Sequence, residues 1–374
     1  MSVQIKEVLN KRDLKKWVDF PNKLYKDVPA YVPFLMIDEI ETFTKSKNPA
    51  YDFCETKLFL AYKEGKIVGR IAGLINHAAN KKWNTNSIRF TRFDFIDDYE
   101  VSSALFDAVV EWGKERGYTK IMGPIGFTDL DHEGMLVEGY DELNMSITFY
   151  NFPYYLIHME KLGLEKEVDW VEYQLKVPSE IDPRLEKMSG FLQKRYGYKL
   201  IRYTDRKTLK ADAYEAFKVI DVAFSGLFGT VPLTDAVINK SIADYIPLVN
   251  LKYLCSIKDK NNKIVGFAVL VPSIAKALKK SNGRMLPFGI FRMLKALKGK
   301  NDTLEMFFIG VEPSLQKLGL PAMVMNQILK MCIENGVKIC ETGPELELNE
   351  KVQSLWKGFD TRNHKRRRCF KKDI

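Results

Sequence analysis

Apolar positions in this chain switch between a strand period and a helix period, and the whole succession comes twice. Near residue 66 a polar turn, Lys63-Glu-Gly65, separates apolar runs and leads through Lys66-Ile-Val-Gly69 into Arg70-Ile-Ala-Gly-Leu-Ile75. Two short apolar runs flanking such a turn predict a β-hairpin. Near residue 263 the pattern returns as Asp259-Lys-Asn-Asn262, Lys263-Ile-Val-Gly266 and Phe267-Ala-Val-Leu-Val271. Helical spacing then takes over from Tyr99 to Gly117 in the first half and from Ala322 to Glu334 in the second. Gly117 and Gly336 fit the left-handed residue that ends a helix. Each helix is followed by a short strand running into Gly-Pro, Lys120 to Pro124 and Lys338 to Pro344. An asparagine and a last helical stretch follow, ending at Gly163 and Gly358.

The landmarks keep nearly constant offsets: 197 residues for the hairpins, 219 for the helix-ending glycines, 198 for Asn151 and Asn349. One insertion of about 22 residues in each half, at different places, accounts for the rise and the return. An ordered set of this kind predicts a diverged duplication. The expected fold is α/β (α+β), two fused domains, each a mixed, mostly antiparallel sheet flanked by helices. The expected boundaries are residues 1–180 and 198–374, a connecting helix at 181–197, and a second-half insertion at 272–301. At 374 residues the chain is long enough for two cores.

Thr303-Leu-Glu-Met-Phe-Phe-Ile-Gly310 reads as a strand, and Val311-Glu-Pro-Ser-Leu-Gln316-Lys317-Leu318-Gly319-Leu320-Pro321-Ala322 joins it to the second-half helix. A strand, a Gln-x-x-Gly-x-small turn and a helix place free backbone N–H groups at a positive helix end, which suits a pyrophosphate. The alternative is a plain strand-turn-helix joint. This stretch resembles the acyl-CoA-binding loop of the GNAT N-acyltransferases, with Pro321 standing where the family has Gly or Ala. Proline fits a first helical turn but removes one phosphate donor. The resemblance implies a cofactor site made by Ile309, Gly310, Val311, Gln316, Lys317, Leu318, Gly319, Leu320, Pro321, Ala322 and Asn349, with acyl-CoA as co-substrate and no metal. Gly310 suits either a bulge or a close ligand approach. The 219 offset sets Asp97, Asp98 and Glu100 at the matching place in the first half. Carboxylates there satisfy their own helix end and repel phosphate, so one CoA per chain is expected, in the second half.

The net charge of +10 points to an anionic partner. Part of it lies in Arg362 to Lys372, with seven Lys/Arg, read as a solvated final strand and tail. No nucleic-acid motif accompanies it, so nucleic acid is not expected as a partner. Five scattered cysteines and four scattered histidines show neither disulfide framework nor metal-ligand spacing. No apolar run is long enough to span a bilayer and no signal core opens the chain, so a cytoplasmic location is expected. The 272–301 insertion holds eight basic residues and no acid. Leu286, Ile290, Met293, Leu294 and Leu297 fall on one helical arc beside Arg292, Lys295 and Lys298. A basic amphipathic helix suggests a lid, or peripheral contact with an anionic membrane; a packed helix with a solvated face is the alternative. In the first-half insertion, His132 and Glu133 form a candidate general-base pair. Glu341 and Glu345 are the candidates beside the cofactor strand. No tyrosine stands near Leu355-Trp356, where the GNAT pattern often puts a general acid.

Tyr31-Val-Pro-Phe34, Asn76-His77-Ala78, Gly123-Pro124 with Gly134 and Val137-Glu138-Gly139, Asn151 with Tyr154-Tyr155, and Gly283-Arg284 with Leu286-Pro287 together resemble the GNAT-related family that includes bacterial ceramide synthases. That resemblance implies transfer of a fatty acyl group from CoA to an amine, of which a sphingoid-base-like lipid is one example. Two other readings stay open: an aminoacyl-tRNA-dependent transferase of the peptidoglycan-bridge type, and a non-catalytic acyl-CoA or lipid-binding protein.

Overall fold

A computed structural model describes residues 2–374. The first half runs β1 (Gln4–Glu7), α1 (Lys11–Leu24), α2 (Met36–Thr42), β2 (Cys54–Lys63), β3 (Lys66–Asn76), α3 (His77–Trp83), β4 (Ser87–Phe95), α4 (Tyr99–Glu115), β5 (Lys120–Gly123), β6 (Met135–Glu138), α5 (Tyr154–Lys161) and β7 (Glu165–Lys176). Helix α6 (Pro183–Tyr196) leads to the second half. That half runs β8 (Lys199–Arg202), α7 (Arg206–Phe224), α8 (Asp235–Tyr245), β9 (Leu254–Lys258), β10 (Ile264–Pro272), α9 (Ala275–Ser281), α10 (Gly289–Lys298), β11 (Thr303–Val311), α11 (Leu320–Glu334), β12 (Ile339–Thr342), β13 (Glu345–Leu346), α12 (Glu350–Gln353) and β14 (Thr361–Asp373). Both hairpins and both helices after them fall where the apolar pattern puts them.

The strands form one continuous sheet in the order β1-β2-β3-β4-β5-β14-β7-β12-β11-β10-β9-β8, with β6 against β14 and β13 against β7. The halves exchange their closing strands. β14, from the end of the chain, lies antiparallel to β5 of the first half. β7 lies antiparallel to β12 of the second. The two exchanged strands pair with each other along ten residue positions at the centre. Helices α4 and α5 cover one face of the first half, and α6 and α11 the same face of the second. On the opposite face α1 and α2, then α7 and α8, build separate apolar clusters.

The basic run at the C-terminal end is therefore the middle of the sheet, not a solvated edge. It is tolerated because β7 supplies carboxylates in register. Arg368 and Arg366 reach Asp169 at 2.7 and 3.1 Å. Lys365 and Arg367 have fully buried side chains and converge on Glu172, which is equally buried. Lys365 Nζ lies 3.3 Å from its Oε2 and Arg367 Nε donates to its Oε1. Arg367 also donates to the Phe149 carbonyl at 2.5 Å and to Asn144 Oδ1 at 2.8 Å. Burial works against ionising Glu172, but Arg367 and Lys365 win and hold its carboxyl at about 2.

Removing one member of a buried ionic cluster strands the others. Glu172→Gln is expected to cost about 3–5 kcal/mol in urea unfolding, while Glu165→Gln at the exposed rim should stay within about 0.5 kcal/mol. The folded value near 2 lies below the unfolded value near 4.5. Glu172 therefore contributes fully above pH 4.5 and loses its contribution as pH falls towards 2. An acid-unfolding series should show a shallower acid limb for Glu172→Gln than for the wild type.

Candidate functional site

Two strands part in each half, and what fills the gap differs. β11 runs parallel to β12 only as far as Met306↔Thr342, and β4 to β5 only as far as Arg89↔Met122. Each long strand bulges just past that point. The β10–β11 register steps at Phe307, between Leu270↔Met306 and Val269↔Phe308. The β3–β4 register steps near Arg92, which has φ +47°. The bulge thus falls three residues before Gly310; a Cβ on Gly310 would come within 2.7 Å of the Phe267 ring, so this glycine makes room for Phe267 across the strand pair.

The hairpin registers equate Phe95, opposite Gly69, with Val311, opposite Gly266. In the first half both backbone groups of Phe95 are occupied by side chains of α5. Its N–H donates to Tyr155 Oη at 2.9 Å, and its carbonyl accepts from Tyr154 Oη at 2.5 Å. The 198 offset makes Val352 and Gln353 the counterparts of these tyrosines. Gln353 turns away, its amide donating to the carbonyls of Leu346 and Glu347. The Val311 carbonyl receives only a long bond from Gln316 Nε2, 3.3 Å, among the described residues.

The helix ends beyond these strands differ in the same sense. Asp98 caps α4, accepting from the Glu100 N–H, and Lys63 bridges Asp98 and Glu100 at 2.7 and 2.9 Å. His158 Nε2 lies 3.0 Å from Asp97. In the second half a 3-10 turn over Pro313–Leu318 leads to Gly319 at φ +93°, and α11 begins with no side-chain cap. Pro321 sits in its first turn, as its missing N–H favours. Met188 and Leu192 of α6 lie beside Gly319. One helix end is satisfied by its own carboxylates, and the other leaves its dipole and Lys317 open to an anion.

An apolar cavity of about 480 Å³ reaches β11 at the bulge residues Phe307 and Phe308. Its walls come from both halves: α7 and α8, Phe267 and Val269 of β10, Phe307 and Phe308 of β11, Met293 and Leu297 of α10, and Phe34, Phe127 and His132 of the first half. One side is acidic, with Asp38, Glu39, Glu41, Asp131 and Asp244. Arg92 neutralises Glu39 and Asp131 at 2.9 and 2.6 Å. Asp38 has no such partner among the described residues, and burial, with Asp244 adding, pushes its carboxyl up to about 6.

The four acid–base candidates separate in space. His132 lines the cavity, its ring 4.0 Å from that of Phe34 and its Nδ1 3.1 Å from Asp131 Oδ1. Its neighbour Glu133 does not line the cavity; burial, reinforced by Asp129, pushes it up to about 8. Of the two, His132 alone reaches the cavity. Glu345 accepts Trp356 Nε1 at 3.0 Å and is raised by burial to about 7. Glu341 accepts from Gln174 Nε2 at 2.9 Å and stands opposite Glu305 in the β11–β12 register. Asn349 opens α12 without capping it.

Glu305 is the residue that pattern reading passes over. It is buried, accepts from Ser273 Oγ at 2.6 Å and Ser146 Oγ at 3.2 Å, and is raised to about 7 by burial, with Glu341 adding. Ser146 also lines the cavity, so one side chain both borders that space and bonds Glu305. The available signal was one carboxylate inside an otherwise apolar strand.

The architecture is that of two fused GNAT domains. A tandem GNAT protein from the clavulanic acid biosynthesis pathway superposes with a TM-score of 0.56 at 12% identity, over 100% of this chain and 98% of that one. A GCN5-related N-acetyltransferase from Sphaerobacter thermophilus gives 0.51 at 9% identity, over 99% and 95%. No family model matches the sequence. Two curated relatives align along nearly the whole chain: Protein YghO of Escherichia coli strain K12, 26% identical over 99% of this chain and 95% of its own, and a bacterial ceramide synthase of Caulobacter vibrioides, 24% identical over 97% and 95%.

Proposed function

We propose that the chain transfers an acyl group, specifically a fatty acyl group, from CoA to the amine of a hydrophobic, lipid-like acceptor. The observation that carries this reading is the asymmetry of the two strand gaps. The first is filled by Tyr154 and Tyr155 and ends at a carboxylate-capped helix. The second ends at an uncapped helix, and an apolar cavity reaches its long strand at the bulge, Phe307 and Phe308. In this reading the pyrophosphate lies over Gln316–Ala322, and the pantetheine runs along the freed edge of β11 at Ile309–Val311. A backbone N–H of that edge faces the thioester oxygen. The volume is within the range of small-molecule sites, and its acidic side suits an ammonium group. The name of the Caulobacter relative, a ceramide synthase, supports a long-chain amine.

Glu305 is the proposed base. The acceptor ammonium gives a proton to Ser146 Oγ as Ser146 passes its own to Glu305. The freed nitrogen attacks the thioester carbon, a C–N bond forms and the C–S bond breaks; the nitrogen then sheds its second proton, which the released CoA thiolate takes up, leaving a neutral amide and CoA thiol. CoA leaves as a thiolate, whose pKa resembles that of a cysteine, about 8.5. Such a leaving group needs little help from an acid.

Calorimetric titration with CoA should give one site per chain. Gly319→Asp should weaken it at least about tenfold by putting a charge at the phosphate position, while Asp98→Asn in the first half should leave it unchanged. Two sites, or tRNA binding without CoA binding, would overturn the assignment.

Free-thiol release from long-chain acyl-CoA with a panel of long-chain amines tests turnover. A base at about 7 predicts kcat/KM rising through neutral pH to a plateau. Glu305→Gln keeps both serine contacts but cannot take a proton, so the rate should fall about 10²–10⁴-fold and the limb near 7 should vanish. If His132→Gln removes that limb and Glu305→Gln does not, the base is His132.

A further inference from the structure

Helix α10 is apolar on two opposite sides. Met293 and Leu297 face inward, buried, and form part of the cavity wall. On the other side Phe288 is 64% and Phe291 68% exposed, with Leu286 just before the helix 78% exposed and Leu294 38%. Single exposed apolar residues need no explanation, but four large ones on one short segment do. Lys295 and Lys298 rise among them, and neither makes an ion pair among the described residues. No acidic residue occurs from 272 to 301.

The segment is anchored so that this side must point outward. Arg284 pairs with Asp19 at 3.1 Å, and the Met36 N–H donates to the Gly283 carbonyl at 2.9 Å. Lys279 donates to the Val28 and Tyr31 carbonyls at 3.0 and 3.3 Å. At the other end Asn250 Nδ2 holds the Leu297 carbonyl at 2.9 Å. That bond sets α10 beside the end of α8, where Tyr245 and Leu248 line the cavity while 37% and 41% exposed. Partly exposed apolar residues thus occur both on the outer side of α10 and in the wall of the cavity.

We infer that this surface docks on an anionic lipid bilayer, with Leu286, Phe288, Phe291 and Leu294 entering the acyl boundary and Lys295 and Lys298 meeting the headgroups. Charge complementarity selects this occupant: an unneutralised basic surface around aromatic and aliphatic side chains is the chemistry of an interfacial helix. A second copy of the chain would set these lysines against each other. The docking does not rest on the lipid-like acceptor proposed above, because vesicle binding is read without turnover.

Flotation of the full chain with vesicles decides it, using phosphatidylcholine alone and phosphatidylcholine with 30 mol% phosphatidylglycerol, a roughly physiological anionic fraction. The chain should float with the mixed vesicles and bind the neutral ones at least about tenfold more weakly. Phe288→Ser/Phe291→Ser should lower binding to the mixed vesicles at least about tenfold, and Lys295→Glu/Lys298→Glu should abolish the preference for anionic lipid. These side chains are exposed, so unchanged circular dichroism and CoA binding would confirm intact folding. No flotation of the wild type, or equal flotation of both variants, would overturn the inference. So would a wild-type dimer in light scattering that Phe288→Ser/Phe291→Ser dissociates.

Discussion

A carboxylate with no access to water, Glu172, between a lysine and an arginine in the same condition, holds this molecule together. It lies on β7, and its two cations lie on β14, the strands that the halves exchange. Hydrophobic alternation forbids a one-residue slip between two long central strands but not a slip of two. A buried charge accepts one, because any slip leaves it unpaired in a low dielectric. The parting of β11 from β12 depends on this register. Gln174, two residues from Glu172, holds Glu341, and Glu341 sits opposite Glu305. The seam and the candidate chemistry are therefore one polar layer on one sheet face, continuous from Arg367 to Ser273.

The two halves share a plan and have diverged where a ligand would touch them. Tyrosine hydroxyls satisfy the freed backbone in the first, and an aspartate caps its helix. Among the described residues, nothing comparable does so in the second. The first half then contributes walls: Phe34, Phe127 and His132 to the cavity, Ser146 to the bridge with Glu305. Its inserted loop is held by Arg92 through Asp131, at the bulge that in the second half carries Phe307. A strand defect common to both copies serves as an anchor in one and as an opening in the other.

Much of the fold was legible because the duplicated landmarks are local. A hairpin turn, a glycine that ends a helix and a Gly-Pro after a strand are each set by a few residues. The exchange of β7 and β14 was not legible. Strands paired within a copy and strands paired between copies have the same alternation, and only long-range charge matching distinguishes them. That also explains the misread basic run, whose partners lie nearly 200 residues upstream. In the second-half insertion the sequence arc joined Leu294 to Met293 and Leu297, whereas the helix begins at Gly289 and turns Leu294 outward with Phe291. The loop at Gly319 was visible as a motif. Glu305 was not, since its character comes from Ser146 and Ser273, 159 and 32 residues away.

The crossed strands also set an order in time. During synthesis β5 emerges long before β14, its neighbour in the finished sheet, with more than 200 residues between them. At ribosomal rates of about 5–20 residues per second that interval is on the order of 10–50 s. Throughout it the first half has an open strand edge and a β7 already carrying Glu172 without its cations. The nascent domain must wait as an incomplete sheet, and an early β5–β7 pairing is the wrong one. A chaperone that shields that edge would be acting on the topology itself, and expression at lower temperature would not shorten the wait.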